Sequence, residues 1–126
     1  MKVIIAGGRK INDYPFLQKT IKTSGFDITE VVSGGAFGVD SMGERWASEN
    51  GVPTKEFPAQ WGLYGPAAGP VRNRQMAEYA EALILIWDGE SKGSANMLRE
   101  AKNKNLKILN VIISAEKVRL VERKHG

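Results

Sequence analysis

No cysteine occurs among the 126 residues, which excludes disulfides, thiolate metal sites and a thiol nucleophile. Histidine is almost as scarce. The one copy, His125, stands one residue from the end of the sequence, where a frayed tail is expected and a histidine-based metal site is not. Long apolar runs are missing too: the opening "MKVIIAGG" has four apolar residues between its lysine and its glycines, too few for a signal peptide or a membrane span. We therefore expect a soluble cytoplasmic protein with no membrane partner, no metal and no cofactor. Charge of one sign is also in short supply. Eighteen basic against 14 acidic residues give +4, compatible with an anionic ligand but little evidence for DNA. Seven Lys or Arg against two Glu fall between Lys102 and Lys124, a run that reads as a solvated face and a basic C-terminal segment, 114–126.

What is present is alternation. A chain of this length forms one domain by the usual size relation, and such a domain buries roughly two thirds of its unfolded surface. "KVIIA" (2–6) is a β-branched run that ends on two glycines, as a buried parallel strand would. "NDYPFLQKTIKTSG" supplies Asp13 as a cap, Pro15 in the first turn and Gly25 as a stop, with Phe16, Leu17 and Ile21 at helical spacing. "DITEVVS" predicts a second strand, and "VDSMGERWASENG" a second helix with Val39, Met42, Trp46 and Ala47 on one stripe. Then come a short strand "PTKEFP", a Gly/Pro loop "AQWGLYGPAAGP", a helix "VRNRQMAEYA" starting near Val71, and "ALILIW", apolar enough to be central. "SANMLREAKNKN", with Met97, Leu98 and Ala101 inward, and "KILNVII" complete the pattern. The expected fold is α/β: a single Rossmann-like domain over 1–126 with its core in 3–113, a mostly parallel five-stranded sheet and helices on both faces.

Open parallel sheets bind ligands at the carboxyl ends of their strands, and every glycine cluster falls at such an end. Gly7 and Gly8 follow the first strand, Gly34, Gly35, Ala36 and Gly38 the second, "WGLYGPAAGP" the third, and "DGESKGS" the fourth. Each cluster reads either as a tight turn or as a place where a phosphate approaches the backbone and the next helix's N–H groups. Arg9, Arg72, Arg74 and Lys92 stand beside these turns as cations, and Ser33, Asn73, Ser94 and Asn96 as hydrogen-bond donors. On a helix starting near Val71, positions 72 and 74 diverge by about 200°, so only one of the two arginines faces a cleft. Arg72 would lie in that helix's first turn, where the dipole disfavours a cation unless an anion is near. Asp40, in the first turn of the second helix, suits either the helix dipole or a ribose hydroxyl. Trp61 and Tyr64 suit either stacking on a base or anchoring their loop. Asp88 and Glu90 are the acids at the fourth strand's end.

Four of these segments in order, "GGR", "SGGAFGVDSMGERWASENGVP", "WGLYGPAAGPVRNRQM" and "KGSANMLREAK", resemble the YspA-like branch of the SLOG superfamily. These Rossmann-like domains are named for the DNA-processing protein DprA and the cytokinin-activating LOG enzymes. The resemblance spans residues 3 to about 113 and implies a pocket for nucleotides or nucleotide-derived signals. LOG enzymes cleave nucleoside monophosphates with an Arg of an "RK" motif and a Glu of a "PGGxGTxEE" loop. Here Arg72 matches the arginine, Gly93 and Ser94 match the Gly-Thr pair, and Asn96 falls where the acid would be. An amide cannot supply general acid-base help of roughly 10²- to 10⁴-fold.

The expectation is therefore a stand-alone binder of a phosphorylated nucleotide. Phosphates would rest on Arg9, Arg72 and the backbone of Gly34–Gly38 and Gly93–Ser94, and ribose on Asp40. Such a binder could sequester a signalling nucleotide, in the host cytoplasm if a phage carries it. The alternative is a nucleotide N-glycosidase working through Arg72 with Asp88 or Glu90. Single-stranded nucleic-acid binding ranks third, and a symmetric homo-oligomer is expected.

Overall fold

Burial on both faces decides the middle of the sheet. β4 (Ala82–Trp87) is buried at every position, and β1 (Lys2–Gly7) is buried from Val3 to Ala6. A computed structural model describes residues 1–113 and the main chain of residues 118–124. Residues 114–117 and 125–126, His125 among them, lie outside the described residues.

The other strands are β2 (Glu30–Ser33), β3 (Thr54–Glu56), β5 (Lys107–Ile113) and β6 (Val118–Lys124). They are ordered β3-β2-β1-β4-β5-β6. The five strands β1 to β5 are parallel, with Val3 beside Val31 and Ala82, and Leu83 beside Ile108. Strand β6 departs from the five-stranded expectation: it runs antiparallel along β5, pairing Ile113 with Val118 and Ile108 with Lys124. The stretch read as a basic tail thus contributes an edge strand. Its charges, which made it resemble a solvated tail, are what natural sheets place on edges.

Side chains alternate across the sheet and feed two cores. Val3 and Ile5 of β1 and Ile84 and Ile86 of β4 pack with Leu17, Ile21, Val39, Met42 and Ala47 of α1 (Tyr14–Ser24) and α2 (Val39–Glu49). Ile4, Leu83 and Leu85 face the other side, against Met76 and Ala77 of α4 (Ala68–Tyr79) and Met97 and Ala101 of α5 (Lys92–Asn103). Trp46 and Leu98 are only partly buried at the margins of these cores. Trp87 is buried with its indole N–H donating to Asn110 Oδ1 at 2.7 Å.

The loop after β3 is more helical than its composition suggests. A short helix α3 (Trp61–Tyr64) and a 3-10 turn (Gly65–Ala67) run directly into α4, which starts at Ala68 and not near Val71. Pro66 and Pro70 look like breakers in the sequence. At the start of a helix, however, a missing N–H costs nothing, because the first-turn donors are unpaired anyway. Arg72 consequently sits beyond the first turn, and the expected conflict with the helix dipole does not arise.

α1 begins as its sequence indicates: Asp13 Oδ1 accepts from the Phe16 N–H at 3.1 Å, and Gly25 ends the helix in the left-handed conformation. Asp13→Ala should lower stability by about 1 kcal/mol, read as a shifted urea midpoint at unchanged slope.

Candidate functional site

The chain leaves β1 toward β2 on one side and leaves β4 toward β5 on the other, so the strand order reverses between β1 and β4. Such a reversal opens a crevice above the carboxyl ends of the two strands. A cleft of about 590 Å³ lies there, within the range that encloses small ligands. Its floor is apolar, from Ala6, Leu85, Met76 and Met97. Its walls come from the loop after β1, the first half of α4 and the N-terminal turn of α5.

Arg72 ties these parts together. Its Nη1 donates to the Gly34 carbonyl at 2.7 Å and its Nε to Asn73 Oδ1 at 3.0 Å. The absence of a side chain at Gly34 makes this possible, because a Cβ there would lie 2.6 Å from Arg72 Nη1 and 3.0 Å from Asp40 Oδ2. Buried Asn73 carries the network onward, donating to Asn96 Oδ1 at 2.9 Å and to the Gly93 carbonyl at 3.3 Å. Burial holds the Arg72 guanidinium below its ordinary pKa; Asp40 pulls it back up and the charge of Arg9 pushes it down. Arg74 diverges as expected and reaches Glu100 at 4.0 Å.

Asp40 is buried at the cleft wall. Burial raises its pKa from 3.8 to about 6, while N–H bonds from Ala36 and Gly7 and the charge of Arg72 oppose the rise and Glu44 adds to it. Asp88 is in the opposite state. Its Oδ1 accepts the N–H groups of Glu90 and Ser91, both at 2.9 Å, and these bonds hold its pKa below the ordinary value. Asp88 thereby stays ionised and shapes the turn into α5, and Glu90 is exposed and does not line the cleft.

The α5 turn presents donors. Ser94 lines the cleft with only 6% of its surface exposed, and its hydroxyl has no partner among the described residues. Open space surrounds the position where a Gly93 Cβ would be. The amide nitrogen of Asn96 is likewise unpaired among the described residues, since Asn73 occupies only its oxygen. Arg9 and Lys10 from the β1 loop and Lys92 from α5 reach the same cleft, and none forms an ion pair among the described residues.

Of the residues singled out in the sequence, the cleft gathers Gly7, Gly8, Arg9, Ala36, Asp40, Trp61, Arg72 and Asn73, with Lys92, Gly93, Ser94 and Asn96 from α5. Ser33, Gly34, Gly35, Gly38 and Tyr64 do not line it. Ser33 is turned inward, its hydroxyl donating to Glu44 Oε2 at 2.6 Å and accepting from the Gly35 N–H. Gly38 serves internal packing: its φ is +77°, and a Cβ would stand 2.2 Å from the Gly8 carbonyl oxygen. Trp61 is 56% and Tyr64 40% exposed, and neither belongs to either core. Sequence reading missed Lys10, whose place beside Arg9 after a strand was a usable signal. It also missed the floor residues Met97, which read only as core, and Met76, which it did not single out.

The sequence profile of the YspA, cpYpsA-related SLOG family matches residues 1–64. A relative, Gene 61 protein of Mycobacterium phage D29, is 30% identical over 119 residues, covering 86% of this chain and 94% of its own. The chain belongs to this SLOG family. Among solved structures it is similar to DNA processing protein A (DprA) from Streptococcus pneumoniae, with a TM-score of 0.73 at 19% identity over 92% of this chain. It spans about half of DprA, 52% of that chain, and the likeness is one of fold. No helix among the described residues is long and apolar enough to cross a membrane.

Two glycines should respond in opposite ways. Gly38→Ala should cost more than about 2 kcal/mol, from backbone strain and overlap. Gly93→Ala, with free space in a helix, should raise stability by up to about 1 kcal/mol. Thermal melts of the two variants check this.

Asp40 gives a pH test. Because its native pKa is raised, the stability it contributes is fully present below about 3.8 and lost as pH climbs through about 6. The loss amounts to about 3 kcal/mol. Asp40→Asn should remove that slope, so urea denaturation should show the variant gaining on the parent chain between about pH 4 and 7.5.

Proposed function

We propose that the protein binds a phosphorylated nucleotide or nucleotide-derived molecule in the cleft between β1 and β4 and holds it intact. One observation carries this reading. Among the described residues, a buried hydroxyl without a partner, Ser94, lines the same cleft as three cations without acidic partners, Arg9, Lys10 and Lys92. A buried polar group left unpaired costs about 1–3 kcal/mol, a cost that an anionic ligand accepting its hydrogen bond removes. In this arrangement a phosphate lies at the N-terminal turn of α5 on Lys92, Gly93 and Ser94, with Arg72 and Arg9 nearby. The ribose meets Asp40, and the base lies on the apolar floor beside Trp61. Family membership supports the ligand class.

Three positions support holding over hydrolysing, with Asp40 given to the ribose. Asp88 is held in its ionised form by two N–H groups, Glu90 is outside the cleft, and Asn96 is an amide, neither a general acid nor a general base near neutral pH. The phage relative fits a role in sequestering a signalling nucleotide. Native mass spectrometry of protein purified from cells should show a retained small molecule, and would report any homo-oligomer in the same spectrum. Added at a hundred times its Kd, a true ligand stabilises the fold by about 2.7 kcal/mol. If no nucleotide in a broad panel raises the melting temperature, the proposal fails. If free base appears in the chromatogram and vanishes in Arg72→Ala, the protein is instead a hydrolase.

A second reading is single-stranded nucleic acid. Phe37, Trp61, Leu63 and Tyr64 are large and exposed, 40–81% of their surface, and Trp61 adjoins the cationic cleft. Stacking platforms beside basic grooves suit such strands. Affinity for an oligonucleotide would then fall steeply with salt, and a flat salt response dismisses this reading.

A further inference from the structure

The cationic groups of the cleft are more than one phosphate at α5 can satisfy, and they fall into two sets. The first is the α5 turn, where Lys92, the Gly93 main chain and the buried hydroxyl of Ser94 converge. The second is the pair Arg9 and Lys10 on the loop after β1. That loop is held in place: Ile11 N–H and Val39 N–H both donate to the Gly8 carbonyl, at 3.4 and 3.2 Å. The side-chain-free Gly38 lets α2 press against the main chain of Gly8 and Arg9. Two adjacent cations are thus presented from a fixed support with no acid opposite them among the described residues.

The two acids lining the cleft do not serve this second set. Asp88 is taken up by the Glu90 and Ser91 N–H groups. Asp40 is bound by the N–H groups of Ala36 and Gly7 and faces Arg72. One phosphate at α5 would neutralise Lys92 and leave Arg9 and Lys10 exposed to each other and to Arg72. Like charges held side by side on a fixed loop repel even where exposed, and Arg9 already acts on the half-buried Arg72 in this way. A second phosphoryl group joined to the first would relieve it.

Resting on the nucleotide-binding reading, we infer that the ligand class is a nucleotide with two linked phosphates, a nucleoside diphosphate or a pyrophosphate-bridged derivative. One phosphate sits on Lys92, Gly93 and Ser94, the other on Arg9 and Lys10.

Calorimetric titration with AMP and ADP, and with the guanine, cytosine and uracil counterparts, tests this on the full chain. For at least one base the diphosphate should bind about tenfold or more tightly than the monophosphate, the size of one charge-assisted contact. Replacing both Arg9→Gln and Lys10→Gln, exposed positions whose loss leaves the cores untouched, should shrink that ratio to within about twofold. Ser94→Ala should weaken both members of the pair alike. Lys19→Ala, on α1 across the sheet, should leave the ratio as it was and so separates a local seat from the general field. Equal affinities in the parent chain, or a ratio that survives the double replacement, overturn the two-phosphate inference and leave nucleotide binding standing. Absence of binding by all eight overturns both.

Discussion

A guanidinium laid against a main chain bare of side chains organises this molecule's upper edge. Arg72 reaches from α4 to the Gly34 carbonyl beyond β2, and only a residue without a Cβ at 34 lets it arrive. The same bare position leaves room for the Asp40 carboxylate beside it. Asn73, next along the helix, spends its acceptor on Arg72 and its donors on Asn96 and Gly93. Three segments distant in sequence, the turn after β2, the start of α4 and the start of α5, are thereby fixed relative to one another. Such networks are strong when every member is satisfied. Here they are closed on the inside and leave Ser94 and the Asn96 amide nitrogen open toward the cleft.

Much of this architecture was legible because the local rules agreed with the global ones. "ALILIW" is apolar at every position and proves to be a strand buried on both faces in mid-sheet. Asp13, Pro15 and Gly25 punctuate α1 as written. Where reading failed, two physical demands shared one residue type. Glycine after β2 could mean an approaching phosphate or an approaching protein group, and at Gly34 and Gly38 it is the protein that approaches. Ser33 offered a hydroxyl that nothing in the sequence marked as already promised to Glu44. Pro66 and Pro70 carried the same letters as a loop while standing at a helix start. Basic residues after Ile113 hid a strand because charge fits an edge as well as a tail.

The chemistry of the site follows from how its acids are spent. One carboxylate is held in its charged form by a turn, and another is buried with its pKa raised to about 6. Cations outnumber acids around the cleft, four against two. The family profile covers β1 to α3, whereas Arg72, Asn73, Ser94 and Asn96 belong to the second half of the chain. The crevice draws on both halves: β1, Arg9, Lys10 and Asp40 come from the matched residues, and β4, α4 and α5 from the rest.

The pairing of β1 with β4 joins residues 3–7 to residues 82–86. Closing so long a loop must precede any reward from the contacts it makes, which places this pairing among the slower steps of assembly. The residues before β4 can build helices and pair β1 with β2, yet by themselves they do not enclose this cleft. The cleft therefore waits for β4 and α5, and no stretch of chain that stops before them contains it.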